Sequence, residues 1–291
     1  MTMKFSKAVR KQAKMRVALA GPSGSGKTYS ALLIAKGLGG KIAVIDTERS
    51  SASLYSDLAD FDVLDLAPPF SPERFIEALQ AAAAGGYNVC VLDSITHEWD
   101  GAGGCLEENE RIAQAKFKGN TWAAWNETTP RHRAFLDAIL QTPMHVVATM
   151  RSKTETVQGD DKKVKKLGMK AIQREGAEYE FGVVFDLEHE KHYALASKDR
   201  TRLFSDPHVI SEETGRRLLA WLESGEPTRM AEGAVADHLA AIEAAADIES
   251  LKAAYKTAYT AARDAGDAAA GAQFEAAKDA RKSALTQEQA A

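Results

Sequence analysis

The feature that most constrains this chain is a glycine-rich loop directly after a short apolar run. Residues 15–28 read MRVALAGPSGSGKT, and Gly21, Gly26, Lys27 and Thr28 fill every fixed position of the pattern G-x-x-x-x-G-K-[S/T]. The apolar run predicts a strand, and the amphipathic segment after the loop predicts a helix. In that order, backbone N–H groups and the positive end of the helix converge on one point. The sequence therefore predicts a site for the phosphates of a nucleotide.

The polar residues of this loop have separate expected roles. The ammonium group of Lys27 would contact the β- and γ-phosphates of ATP, and the Thr28 hydroxyl would bind Mg²⁺, which prefers hard oxygen ligands. The residues predicted to bind the nucleotide are Gly21, Pro22, Ser23, Gly24, Ser25, Gly26, Lys27, Thr28 and Tyr29.

Composition limits the class of protein. The 291 residues are 45% hydrophobic and 27% charged, which is typical of a soluble globular protein, and no apolar run approaches the length of a membrane span. Because the net charge is −4, any contact with nucleic acid must come from a local basic patch. Cys90 and Cys105 are isolated, which argues against a zinc site or a disulfide scaffold and favours a reducing cytoplasm.

Strand and helix patterns alternate after the loop. Apolar runs at residues 41–46, 62–66 and 87–94 predict three more strands, and Ser71 predicts the start of a helix between the last two. Such alternation is typical of an α/β fold with a mainly parallel sheet. The strand at 87–94 ends near Asp93, where we expect a carboxylate that holds Mg²⁺ through water.

The middle of the chain is less regular. Residues 95–126 are rich in Gly and Trp, and we expect a mobile, partly helical region there, followed by a helix from Thr129-Pro130 and a strand at 144–150. Residues 151–176 are expected to form a long polar loop with a positive local charge. The basic residues of this patch, predicted to contact DNA, are Arg151, Lys153, Lys162, Lys163, Lys165, Lys166, Lys170 and Arg174.

Two further strands are expected at residues 181–187 and 192–196, with Lys198 and Arg200 directly after them, and a last core helix at 212–222. We predict three regions from these patterns. They are a basic tail at residues 1–14, an α/β core at 15–226, and a linker with an alanine-rich module of three short helices at 227–291.

The order of these features resembles the RecA-like ATPase core. The features are the phosphate loop, the segment DTE at residues 46–48, Asp93-Ser94, Arg151-x-Lys153 and Lys198-x-Arg200. Within that superfamily, residues 4–226 are similar to the bacteriophage RecA-like P-loop ATPases, an AAA-domain family associated with single-strand annealing and recombination. The segments GPSGSGKTYSALLIAKGLGGKIAVIDTERSSASLY and HVVATMRSKTETV carry the resemblance.

The resemblance implies a RecA-like fold and several residue roles. Glu48 would activate the attacking water, since the residue after the metal aspartate is Ser94, which offers no base. Lys198 and Arg200 would reach the nucleotide of a neighbouring copy in a head-to-tail ring or filament. Single-stranded DNA would bind the basic patch and the tryptophan-rich segment. The C-terminal helices would bind a single-strand-binding or other recombination protein in the cytoplasm, that of a bacterial host if the chain is phage-encoded.

One departure from the family pattern narrows the expected activity. Strand-exchange recombinases carry a glutamine near the position of Thr149 that senses the γ-phosphate, and this chain has none there, so annealing or filament support is favoured over full strand exchange. Two other functions stay open. One is a P-loop kinase acting on a small molecule, with Lys198 and Arg200 in cis; the other is a scaffold that binds nucleotide without hydrolysing it.

Overall fold

The computed structural model describes residues 10, 12–158, 164–225 and 229–290, and for residues 154–158, 164–168 and 287–290 it describes the backbone alone. The chain divides into two compact units. The larger unit is residues 14–221, and the smaller one comprises the described parts of residues 1–13 and 222–291. Among the described residues, no helix combines the length and the apolar character needed to cross a lipid bilayer.

The larger unit is built on a mixed sheet. Its described strands are β1 (Arg16–Gly21), β2 (Ile42–Asp46), β3 (Phe61–Asp65), β4 (Val89–Asp93), β5 (His145–Gln158), β6 (Val164–Ala171), β7 (Val183–Leu187), β8 (Tyr193–Asp199) and β9 (His208–Val209). Their order is β3-β2-β4-β5-β1-β7-β8-β9, and β6 pairs with β5 alone. The pairs from β3 to β7 along this order are parallel, which confirms the predicted α/β class.

Helices flank this sheet. The described ones are α1 (Lys27–Leu38), α2 (Pro72–Ala84), α3 (Thr96–Asp100), α4 (Cys105–Lys116), α5 (Thr121–Gln141) and α6 (Glu212–Glu223). Strands β1, β2 and β4 are buried along their whole length, as expected for parallel strands covered on both faces. Phe75 of α2 packs against Phe135 of α5 with ring centroids 5.3 Å apart, and both lie in the same apolar cluster as the alternate residues of the strands.

Residues 95–126, where a mobile, partly helical region was expected, are mostly helical, because α3, α4 and the start of α5 occupy most of them. Helix α5 begins at Thr121 rather than at Thr129, since the side chain of Asn120 accepts a hydrogen bond from the Ala123 N–H and caps the earlier start. Pro130 therefore lies inside the helix. Stacking of Trp99 on Trp125, with centroids 5.6 Å apart, supplies apolar contact that the helical periodicity did not reveal.

The prediction of a long polar loop at residues 151–176 was wrong. Strand β5 continues to Gln158 and pairs with β6 in an antiparallel hairpin that contains a register shift between Glu155 and Thr156. The β-branched residues of the segment TETV favour a strand, but their polar neighbours concealed it. In a similar way β8 extends to Asp199, so that Lys198 lies within the strand and not after it.

The smaller unit contains α7 (Glu232–Glu243), α8 (Ile248–Ala265) and α9 (Ala268–Ala290). Asp247 caps α8 in a reciprocal pair of hydrogen bonds with Ser250. Ile242, Leu251 and Phe274, one from each helix, are buried in a common cluster, which confirms the helical spacing read from the sequence. These helices thus bury their apolar faces against one another.

Candidate nucleotide site

The phosphate loop joins β1 to α1 at the carboxyl edge of the sheet. Gly24 and Gly26 adopt φ angles of 77° and 83°, a conformation that side chains with a Cβ rarely take. A Cβ on Gly21 would lie 2.4 Å from the Ser25 Oγ, so the loop also needs glycine there for space. These constraints explain why the glycines must stand at these spacings for the loop to close.

Lys27 begins α1 and is buried inside the loop that it follows. Its Nζ donates a hydrogen bond to the Pro22 carbonyl at 2.8 Å. Burial lowers the pKa of Lys27, while the charges of Glu48 and Asp93 raise it in opposition. The ammonium group of Lys27 therefore lies inside the loop, where its point charge can meet phosphate oxygens.

Asp93 ends β4 and is held by hydroxyl groups from two other elements. Thr28 Oγ1 donates to Asp93 Oδ2 at 2.6 Å, and Thr149 Oγ1 donates to Oδ1 at 2.5 Å. Burial raises the pKa of this carboxyl, and the two hydroxyls oppose that rise. The two residues predicted to hold Mg²⁺, Thr28 and Asp93, are therefore in direct contact. Their oxygen donors suit a hard divalent cation, so the residues present fit such an ion.

The segment DTE at the end of β2 is folded back by its own aspartate. Asp46 accepts hydrogen bonds from the backbone N–H groups of Glu48 and Ala52, at 2.5 and 2.8 Å. Arg49 and Ser50 between them have positive φ angles of 59° and 62°. The carboxylate of Asp46 thus organises the turn that presents Glu48.

Thr47 links this turn to the end of β4. Its Oγ1 accepts a hydrogen bond from the Ser94 N–H at 2.8 Å and lies 2.7 Å from His97 Nδ1. The His97 ring stacks on Phe70 with centroids 5.0 Å apart, and burial lowers its pKa. Thr47, His97 and the hydroxyl of Thr149 were not among the site residues expected from the sequence. Their position at the ends of adjacent parallel strands was the available signal.

Glu48 is paired with a residue that the sequence assigned to DNA binding. Its Oε1 lies 2.9 Å from Arg151 Nε and 2.8 Å from a terminal nitrogen of the same guanidinium. The Arg151 backbone is fixed at the root of the hairpin, since its N–H donates to Thr96 Oγ1 at 2.9 Å and its carbonyl accepts from the Ile172 N–H. A cavity of about 600 Å³ lies here, lined by residues that include Glu48, Arg49, Asp65, Phe70, His97 and Arg151.

Lys198 and Arg200 lie away from the phosphate loop of their own chain. In register, Lys198 pairs with Val184, which pairs with Ala18, and the Arg200 N–H donates to the carbonyl of Gly182 at the start of β7. Both side chains turn toward the Tyr179 carbonyl, at 2.5 Å for Lys198 Nζ and 3.3 Å for Arg200. Arg200 thus lies at the amino edge of the sheet and Lys198 in its amino half, whereas the loop is at the carboxyl edge.

The other residues assigned to DNA have varied surroundings. Lys153 is exposed on β5, and Lys170 lies 3.9 Å from Glu175. Arg174 packs over the Trp125 ring at 5.6 Å and donates to Thr129 Oγ1. Lys165 and Lys166 belong to β6, described by backbone alone, and Lys162 and Lys163 lie outside the described residues.

A comparison with protein families matches the part of the chain that contains this site. A family model described as an AAA domain matches residues 13–220, which include the phosphate loop, Asp93 and Arg151. A search of curated proteins found no match.

Proposed function

We propose that this chain hydrolyses ATP with Mg²⁺ while bound to single-stranded DNA. The chain belongs to the AAA-domain family and carries a complete phosphate loop, so it is a P-loop ATPase by family. In this proposal it assembles head to tail and supports annealing during phage recombination in the host cytoplasm. The contact between Glu48 and Arg151 carries the proposal, because it joins the candidate water-activating group to the root of the basic hairpin.

The nucleotide is held by this chain's own groups. The backbone N–H groups of the loop and the Lys27 ammonium bind phosphate oxygens, while Thr28 and Asp93 supply oxygen ligands for Mg²⁺. When bound, Mg²⁺ neutralises charge on the β- and γ-phosphate oxygens. Thr149 keeps the Asp93 carboxylate oriented through its hydroxyl.

Glu48 is the candidate general base. It follows β2 at the edge where the loop lies, and its side chain borders the cavity beside Arg151. Ser94, directly after Asp93, has no carboxylate, and its Oγ donates a hydrogen bond to the Thr149 carbonyl. A glutamate on the adjacent strand is therefore the residue placed to take a proton from water.

Arg151 supplies a route by which DNA affects hydrolysis. Glu48 contacts two nitrogens of the Arg151 guanidinium. A phosphate that binds the same nitrogens must therefore compete with Glu48 for them. When the hairpin engages a DNA phosphate, Arg151 is drawn from Glu48 and the carboxylate becomes free to orient water. DNA binding at the hairpin and turnover at the loop are then coupled through one ion pair.

The position of Lys198 and Arg200 supports assembly through neighbouring copies. About five residues of strand, or roughly 17 Å, separate the amino edge from the phosphate loop along β1. A side chain at the amino edge is therefore badly placed for the nucleotide of its own chain, which argues against the small-molecule kinase with a pair acting in cis. In a head-to-tail assembly the same pair faces the next copy.

ATP turnover measured with and without a single-stranded oligonucleotide tests the proposal. We expect stimulation by DNA in the native protein, loss of stimulation in Arg151→Gln, and retained stimulation in the matched variant Arg133→Gln, which changes an exposed arginine on α5. Turnover that DNA leaves unchanged would show that the coupling is wrong. Tight ATP binding without detectable turnover would instead favour the nucleotide-dependent scaffold, with the C-terminal helices as the surface for a recombination partner.

A further inference from the structure

A second cluster of chemically reactive side chains lies apart from the phosphate loop. It consists of Glu98 on α3, Cys105 at the first position of α4 and His132 on α5, and none of the three is more than 1% exposed. One ligand atom from each lies within 4.8 Å of those from the other two. Thiol, imidazole and carboxylate are the three donor types that bind zinc in proteins.

The contacts within this cluster converge on the Glu98 carboxylate. Cys105 Sγ donates to Glu98 Oε1 at 3.1 Å, and His132 Nδ1 lies 3.1 and 3.2 Å from the two carboxylate oxygens. Gln173 Nε2 donates to Oε2 at 3.4 Å. His132 Nε2 is buried and has no hydrogen-bond partner within the described part of the chain. Nδ1 is therefore the ring nitrogen that faces the carboxylate, and Nε2 is left without a partner among the described residues.

Arg131 does not occupy the cluster, because its guanidinium is paired with Glu73 and Glu108 instead. The thiol, the imidazole and the carboxylate are therefore not in direct contact with that guanidinium and can be shared by a cation.

We propose that Glu98, Cys105 and His132 bind one Zn²⁺ ion. The ion replaces the thiol proton, which is released to solvent, and bonds to the Cys105 sulfur, His132 Nδ1 and one Glu98 oxygen. A water molecule fills the fourth position of the tetrahedral set. Zinc bond lengths place such donor atoms roughly 3.4–3.6 Å apart. The present separations of 3.1–3.2 Å therefore need to open by a few tenths of an ångström.

A glycine turn builds this site. Gly101, Gly103 and Gly104 reverse the chain between α3 and α4, and Gly103 has a φ of 73°. A Cβ on Gly104 would lie 2.7 and 2.8 Å from the carbonyl oxygens of His97 and Glu98, so only glycine permits the close return that brings Cys105 to Glu98. The ligands are 34 residues apart at the extremes, which is why the isolated cysteine gave no sign of zinc in the sequence.

Zinc here would tie three helices together behind the nucleotide site. Glu98 is adjacent to His97, which contacts Thr47, and Gln173 also donates to the Ile95 carbonyl at 2.9 Å. The ion would thus fix the segment between the end of β4 and the return of the hairpin. This role does not depend on ATP hydrolysis.

Metal content and cobalt spectroscopy test the site. The full-length protein is analysed for zinc as purified, then unfolded with reductant and chelator, freed of chelator and refolded with Co²⁺. We expect about one ion per chain and a near-ultraviolet charge-transfer band from thiolate to cobalt. The band should disappear in Cys105→Ser and persist in the matched variant Cys90→Ser, because Cys90 is buried in β4 away from the cluster.

Circular dichroism identifies which refolded samples are native. If Cys105→Ser does not refold, His132→Gln provides the same test, since it leaves the thiol in place but removes a ligand. Natively folded protein that contains no zinc and gives no cobalt band would overturn the proposal and leave the three residues as a hydrogen-bonded cluster. A cobalt band that survives in Cys105→Ser would overturn it as well.

Discussion

The two edges of the central sheet hold their charged groups in different ways. At the carboxyl edge, Asp93 is held by two threonine hydroxyls and Glu48 by the guanidinium of Arg151. At the amino edge, the Arg16 guanidinium donates to the backbone carbonyls of Met15, Leu140, Thr142 and Met144. Burial shifts the pKa of one charged group at each edge. It raises the pKa of Asp93 and lowers that of Arg16 to about 10.

The type of partner separates the two edges. A hydroxyl or a guanidinium can rotate away when a ligand arrives, because only a side chain moves. Backbone carbonyls at the end of helix α5 and just before strands β1 and β5 cannot do so without disrupting the fold. Burial and a shifted pKa are thus shared by a ligand site and a structural one, and exchangeable side-chain partners mark the site.

The largest expected effect concerns the exposed Arg200, which lies at the structural amino edge but is proposed to act on a nucleotide. Arg200→Ala should bind ATP yet hydrolyse it about 10³–10⁵ times more slowly, because a guanidinium from a neighbouring copy stabilises charge on the γ-phosphoryl group. Turnover and nucleotide titration measure the two quantities. The matched variant Arg133→Ala removes an exposed arginine from α5 and should leave both unchanged.

Mixing shows whether Arg200 acts between copies. Lys27→Ala removes the phosphate charge and should be inactive alone, but it still presents Arg200. Combined with Arg200→Ala, which retains an intact loop, it should restore hydrolysis in mixed assemblies. Mixtures that co-assemble and stay inactive would remove both the trans role and the main support for head-to-tail assembly.

The next effect tests the carboxyl edge. Glu48→Gln should retain ATP binding and slow hydrolysis by about 10²–10⁴-fold, because water activation alone is lost. Single-turnover measurements with saturating ATP separate the chemical step from binding. Glu77→Gln, a matched change on the exposed face of α2, should be neutral. Normal turnover by Glu48→Gln would assign the base to another residue.

A smaller effect tests the structural character of the amino edge through pH. His145 Nδ1 accepts a hydrogen bond from the Met15 N–H at 3.0 Å, and burial lowers the pKa of His145 to about 3 from its ordinary 6.5. Below pH 6.5 the unfolded chain therefore takes up a proton that the folded chain excludes. As the pH decreases, the free energy of unfolding therefore falls by about 1.4 kcal/mol per pH unit, or on the order of 2 kcal/mol between pH 6.5 and 5.

Urea unfolding at several pH values measures that loss. His145→Gln keeps a hydrogen-bond acceptor but cannot titrate, so its unfolding free energy should fall less steeply as the pH decreases. Identical slopes in the two proteins would mean that His145 is protonated in the folded state, and the amino edge would then contain a titrating group after all.

The smallest expected effect concerns four lysines between positions 162 and 166. Neutralising Lys162, Lys163, Lys165 and Lys166 should flatten the salt dependence of single-stranded DNA binding, with about 0.7 removed from the log–log slope for each lost phosphate contact. Fluorescence titration at several salt concentrations measures this slope. Replacing Lys252 and Lys256 on α8 serves as the control, and an unchanged slope in the four-lysine variant would move DNA binding to another surface.

The sequence predicted the features that depend on local patterns. The phosphate loop and the strands ending at Asp46 and Asp93 follow from short apolar runs and fixed spacings, and the structure has these elements where they were expected. Helix α5 was predicted to start too late because Pro130 is a strong start signal, whereas the earlier cap at Asn120 lacks any apolar periodicity after it.

Contacts between distant segments were beyond such patterns. The pairing of Glu48 with Arg151 joins residues 103 positions apart, and its only local trace was that each follows a buried strand. In the sequence, Thr149 marked only the place where a glutamine is absent. Its own hydroxyl, which donates to Asp93 from the next strand, was not expected to matter. The order of strands in the sheet decides these encounters, and order is not a local property.

Strand β5 has one more consequence for how this molecule transmits force. It runs without a break from the buried core at His145 to Gln158 in the hairpin, so Thr149 and Arg151 share one backbone. Because side chains alternate between the two faces of a strand, a slip of β5 by a single residue would move the side chains of Thr149 and Arg151 to the opposite face. The strand can therefore twist or bend but cannot slide. A pull on the hairpin would reach Asp93 and Glu48 together, as a torsion of the same strand.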